Sequence, residues 1–191
     1  DILPAADVRN PKALADFVNS VAAEFPDISG GAAQSLRAGD TIARAMIEAS
    51  LIALGVILVF LALLLRRIDD VLLMMFPLAL ATTLTIAAGV VFSIPFNYAN
   101  VIVLPLLLGI GVDSGIHLVM RERQGEVDGA ATRRAIFYAA LTTIASFGSL
   151  MISSHRGTAS MGELLTIAIG FTLVCTLVVL PVALQLVRKK A

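Results

Sequence analysis

The chain has 191 residues, 58% hydrophobic and 15% charged, with a formal net charge of zero and a mean hydropathy of +0.92. That is too apolar for an ordinary soluble domain. It has no tryptophan and no basic patch interleaved with aromatics, which argues against nucleic acid as a partner.

Residues 1–10 read as extended or loop-like, and the chain opens without a methionine or a signal-like stretch, as a piece of a longer protein would. Asn10 and Pro11 form a helix start, a cap residue followed by proline at the first helical position. Leu14, Phe17, Val18, Val21 and Phe25 then repeat at helical spacing, Pro26 ends the pattern, and Gly30-Gly31 reads as a turn or a return strand. The expectation is a short soluble α/β remnant over residues 1–38, the end of a preceding domain and too small to stand alone.

From residue 39 the pattern becomes that of a membrane domain. Arg37, Asp40, Arg44 and Glu48 are polar positions on a helix that turns fully apolar. Five apolar runs follow, at about 45–65, 71–92, 98–120, 135–153 and 163–187. Each has close to the ~20 residues that cross a hydrocarbon core. Without water to satisfy the backbone, such runs must be helices, so the fold class is all-α membrane protein. The connections are Arg66–Arg67 with Asp69–Asp70, a short turn at 93–97, a polar loop at 121–134 and a polar turn at 154–162. Arg66, Arg67, Arg121, Arg123, Arg133, Arg134, Arg188, Lys189 and Lys190 fall on one side, and the opposite turns hold only Arg156. The positive-inside rule makes the first side cytoplasmic, with the C-terminus, and puts the N-terminal segment outside.

The third run, PLLLGIGVDSGIHLVMR at 105–121, carries Asp113 and, one helical turn later, His117. A charge at mid-bilayer costs roughly 2.5–3.5 kcal/mol even on the lenient insertion scale. An acid there therefore implies a proton relay, an ion site or a buried structural pair. His117 reads equally as a relay partner or as a histidine at headgroup level. Gly109, Gly111 and Gly115 surround the acid, and Gly111 with Gly115 makes a small-xxx-small pair for close approach of another helix. In the fourth run Thr142, Thr143 and Ser146 form a stripe expected at a similar depth to Asp113. Their hydroxyls either bond the carboxyl or satisfy their own helix carbonyls. No lysine or arginine lies in any run, so an ionised Asp113 has no charged partner there. Cys175 has no second cysteine to pair with and reads as a small packing residue. His117 and His155 lie apart with no clustered ligands, so no metal or other cofactor is expected. No nucleophile–base pair or phosphate-cradling loop suggests an enzyme.

Three stretches, NYANVIVLPLLLGIGVDSGIHLVMR, ALTTIASFGSL and SSHRGTASMG, resemble the resistance-nodulation-division (RND) superfamily. The likeness is to the MMPL-type lipid exporters and their hopanoid-associated members, and it covers roughly residues 30 to 187. It implies the C-terminal half of a twelve-span transporter in the bacterial inner membrane: the end of the second periplasmic domain, then spans eight to twelve of the second repeat. It further implies proton-coupled export of a hopanoid-like lipid toward the outer membrane. Asp113 matches the protonatable position of span ten, with Ser114 where many MMPL-like members carry tyrosine. The partners so implied are the N-terminal half of the same transporter, membrane lipids and a hydrophobic lipid substrate, with a homo-oligomer left open. One proton supplies about 2.3 kcal/mol per 100 mV, against ~0.8 kcal/mol for each CH2 exposed to water, so the lipid's path must stay apolar. Two other readings fit the five-span unit: a sterol-sensing-type lipid-binding or regulatory module without transport, and an accessory subunit of a translocase of related fold.

Overall fold

The computed structural model describes residues 11–25, 30–94, 100–123 and 129–188. The chain divides into two compact units, Asp1–Glu48 and Ala49–Ala191.

In the first unit, α1 (Pro11–Glu24) begins at its proline and buries Val18, with Leu14, Phe17 and Val21 half-buried beside it. The α/β character expected of residues 1–38 is not found. The described residues there contain no strand, and Gly31 opens the helix α2 (Gly31–Leu65). Gly30 makes the turn with φ +141°, a conformation that residues with a Cβ rarely adopt. Its carbonyl accepts the first helical bond, from Gln34 N–H at 2.9 Å. Ala32, Ala33, Gln34 and Leu36 are good helix formers, which is why the chain enters a helix where two glycines suggest a turn or strand.

The second unit holds the rest of α2, then α3 (Ile68–Val91), α4 (Val103–Arg123), α5 (Gly129–Ser149), α6 (Arg156–Val174) and α7 (Leu180–Arg188). A 3-10 turn, Asn100–Ile102, leads into α4, and another, Leu150–Ile152, ends α5. One π turn, Cys175–Val179, joins α6 to α7, so the two form a single span. Among the described residues five helices are thus long and apolar enough to cross a membrane.

Short connections are built from specific backbone choices. α2 ends on Arg66 at φ 54°, a left-handed residue that costs an L side chain roughly 1–2 kcal/mol, and α3 starts two residues later. α3 ends in a Schellman motif: Ser93 is left-handed at φ 54°, Ser93 N–H donates to Val90 O and Ile94 N–H to Gly89 O. Ile94, buried at 5% exposure, supplies the motif's apolar contact. The stretch 156–162, expected as part of a polar turn, is instead the start of α6. Its small residues are what let this end of the helix pack so closely. A Cβ on Gly162 would sit 2.7 Å from the Phe147 carbonyl of α5. Ser160 donates to Asn100, which is 1% exposed, and ties α6 to the turn before α4.

α6 is the hub, packed against α3, α4 and α5. Leu164, Leu165, Ala168 and Ile169 fill its buried side, and Val71, Met74, Leu78, Leu107 and Val119 pack in the core with the first three. The membrane-length windows of α3, α4 and α6–α7 are 39–44% buried, but those of α2 and α5 only 6%. The outer two therefore present most of their surface to whatever surrounds the unit. Between the unit's part of α2 and the α3–α4 pair lies an apolar cavity of about 560 Å³, lined by Leu51, Leu54, Leu58, Met75, Leu104 and Leu108 among others.

Candidate functional site

α4 carries its small residues and its acid on different sides. Gly111 and Gly115 are buried, and added Cβ atoms there would meet Leu78 Cδ1 at 2.5 Å and Met74 Cε at 3.0 Å. These two glycines form a close seam with α3, and Gly111 also faces Thr172 of α6. Asp113 is two residues from each, about 200° around the helix, and falls on the open side with 77% of its side chain exposed. Gly109 is on that side too, exposed and with nothing within 4 Å of an added Cβ. The small-residue approach expected to bury the acid thus occurs on the far face, and no described helix of the second unit covers Asp113.

His117 follows Asp113 by one turn, 67% exposed, with Nε2 3.7 Å from Asp113 Oδ1. That is beyond hydrogen-bond reach. The two share a shallow continuation of the site with Arg121, Thr132 and Ala135.

The site itself is a groove of about 430 Å³ between α4, α5 and α6. Asp113 and Ser114 line it from α4, Thr143 from α5, and Thr172 and Thr176 from α6 and its π turn, with Pro105, Ile110, Ile136 and Ile169 among the apolar residues between them. Of the stripe on α5, only Thr143 reaches the groove. All three hydroxyls of the stripe bond their own helix: Thr142 and Thr143 donate to Ala139 O, both at 2.8 Å, and Ser146 to Thr142 O at 2.9 Å. Thr142 and Ser146 sit on α5's exposed surface. The carboxyl therefore receives no hydroxyl from α5 in this structure. Within an apolar helix a hydroxyl reaches the carbonyl three or four residues back more cheaply than a group on another helix.

Two polar residues of the groove, Thr172 and Thr176, were not singled out from the sequence. Their signal is a pair of hydroxyls four apart in the otherwise apolar run 171–180, closed by Pro181. Each is 5% exposed. Pro181 accounts for the π turn. It has no N–H, and its ring crowds the carbonyl four residues earlier in a regular α-helix. One extra residue in the preceding turn relieves this, and Leu180 N–H accordingly donates to Cys175 O, five residues back. Cys175 is buried in that turn at 2% exposure and packs as a small residue. Among the described residues no group of three or more His, Cys, Asp or Glu side chains is placed to hold a metal ion.

No protein-family model matches the chain. It is 42% identical over 183 residues to the hopanoid transporter HpnN of Rhodopseudomonas palustris, covering 95% of this chain and 21% of that protein. It is 36% identical over 186 residues to the hopanoid transporter HpnN of Burkholderia multivorans, covering 96% of this chain and again 21% of the relative. The chain spans about a fifth of the length of the curated relatives it matches.

Proposed function

The chain is homologous over 95% of its length to a segment of the hopanoid transporters of the resistance-nodulation-division superfamily, and on that premise we propose that it is the C-terminal membrane part of a proton-driven lipid exporter. Its substrate class is hopanoid-like, polycyclic and apolar, carried from the bacterial inner membrane toward the outer one. The observation that carries this reading is Asp113. A carboxyl set midway along a membrane-length helix and 77% exposed is too costly to leave in hydrocarbon. The groove of threonines that it lines therefore needs a cover supplied by protein outside this chain, which we assign to the N-terminal half of the same transporter. Under that cover Asp113 takes up and releases the coupling proton, with Thr143 beside it and His117 toward the basic end of the helix. In this reading residues 1–38 end a periplasmic domain, and the C-terminus is cytoplasmic.

The test is lipid export by the full-length protein carrying Asp113→Asn, with membrane abundance measured in parallel. Lost export at normal abundance is the expected result. Retained export removes Asp113 from the coupling step. A second reading has its own observation, the 560 Å³ apolar cavity beside α2, which is within the range of small-ligand sites. It would serve a lipid-binding module that regulates without pumping, and lipid binding that persists in Asp113→Asn, together with unaltered lipid distribution in a strain lacking the protein, would favour it.

A further inference from the structure

The groove contains a second polar group whose position is unusual, on α6 and not on the helix that bears the acid. Thr172 and Thr176 are one turn apart and equally buried, but their hydroxyls are used differently. Thr172 donates to Ala168 O at 2.8 Å, the usual way for a threonine in a membrane helix. Thr176 makes no hydrogen bond through its side chain among the described residues, although it is 95% buried and lines the groove that Asp113 lines. The buried side-chain oxygen without a partner among the described residues is that of Thr166; the Thr176 hydroxyl instead opens on the groove, where another group can complete it.

The backbone around Thr176 is also special. Its carbonyl would ordinarily accept from Leu180 N–H, but that donor goes to Cys175 O. The next candidate is Pro181, which has no N–H. Thr176 therefore presents a side chain without a partner at the residue whose regular backbone donor, Leu180 N–H, goes to Cys175 O. Both groups are suited to a site in which a proton and its hydrogen bonds are exchanged, because neither is committed to the helix.

We propose that Thr176 is a positioning residue for the proton step: its hydroxyl, directly or through one water in the groove, holds the Asp113 carboxyl across from α6 in the assembled transporter. The proposal rests on the reading of Asp113 as the coupling acid. The titratable and charged groups that face the groove and its continuation are Asp113, His117 and Arg121, all from α4. The described lining residues of α5 and of α6 with its π turn bring none. A pH dependence of transport that responds to Thr176 is therefore read through Asp113 or its α4 neighbours.

The experiment uses the full-length transporter, with hopanoid reaching the outer membrane measured across a series of external pH values and normalised to membrane abundance. Thr176→Val keeps shape and removes the hydroxyl; Thr176→Ser keeps the hydroxyl. The expected result is at least about a tenfold loss of transport in Thr176→Val, the scale of one hydrogen bond to a charged group. A changed pH profile should accompany it, and Thr176→Ser should recover most of the rate and the original profile. Thr176→Ala replaces the valine variant if that variant does not accumulate in the membrane. Wild-type rate and profile in Thr176→Val overturn the proposal. So does a loss with an unchanged pH profile that serine does not restore, which is the mark of a packing role. Asp113→Asn is run alongside: if it transports with the wild-type pH profile, the coupling-acid reading falls and the Thr176 proposal with it. If Asp113→Asn is dead and Thr176→Val is normal, only the Thr176 proposal falls.

Discussion

Replacing Gly162 by alanine tests whether the start of α6 is as closely packed as the structure has it. An added Cβ would lie 2.7 Å from the Phe147 carbonyl oxygen, 2.8 Å from Leu150 Cβ and 3.1 Å from Met151 N. Ordinary contact begins near 3.4 Å, so the closest approach is about 0.7 Å too short. The atoms met are backbone or directly attached to it, and no rotamer change relieves them. Overpacking costs roughly 1–3 kcal/mol, and a rigid contact of this kind belongs at the upper end. Alanine regains about 1 kcal/mol of helix propensity over glycine, which leaves a net loss of about 2 kcal/mol. Gly170 on the same helix is the control, since nothing lies within 4 Å of its added Cβ; Gly170→Ala should leave stability unchanged or raise it by up to about 1 kcal/mol. Thermal unfolding of the full-length protein in detergent, followed by loss of its monodisperse size-exclusion peak, compares the two. A Gly162→Ala midpoint equal to that of Gly170→Ala would refute the close α5–α6 contact.

Three further outcomes follow from the same geometry. Asn100→Ala removes a side chain that is 1% exposed and accepts from Ser160, and should cost about 1–3 kcal/mol; a double-mutant cycle with Ser160→Ala in the same unfolding assay isolates the coupling. Thr166 Oγ1 is buried without a hydrogen-bond partner among the described residues, so Thr166→Val, which keeps the shape, should raise stability by about 1 kcal/mol. On α5, Thr143→Val changes a residue that lines the Asp113 groove while Ser146→Ala changes one that does not; transport by the full-length protein should fall in the first and hold in the second, and equal effects would remove α5 from the site.

The membrane helices were legible because five long apolar runs have only one solution in lipid, and Asp113 because charge is rare inside such runs. What failed was local chemistry read without its surroundings. Gly30-Gly31 looks like a turn or a return strand, yet only Gly30 turns, and the alanines after it carry α2 onward. The motif SSHRGTASMG looks like a polar loop, yet from Arg156 it is a helix whose small residues exist for contact with α5. The Gly-x-x-x-Gly pair around Asp113 was readable as a close seam, but not the side of the helix on which the acid ends up relative to it. Thr172 and Thr176 are invisible to periodicity, since a threonine in an apolar run gains meaning only when another helix places an acid beside the same groove. The π turn was not readable from Pro181 alone, since Pro77 lies inside α3 and leaves it a continuous α-helix.

That turn also bears on chain length. A π turn is an α-helical turn with one residue added, so α6 and α7 are two helical segments joined by a spare residue. Each residue of a regular helix advances the face by about 100°; a deletion in Arg156–Val174 would rotate everything beyond it and take Leu180 and Leu184 out of the core they occupy at 1% and 5% exposure. Within Cys175–Val179 a single deletion would close the turn to α-geometry and leave both faces in register. In this stretch of the last span one residue can be lost without repacking the helix faces on either side, and the cost of removing it would be borne by Pro181 and not by the core.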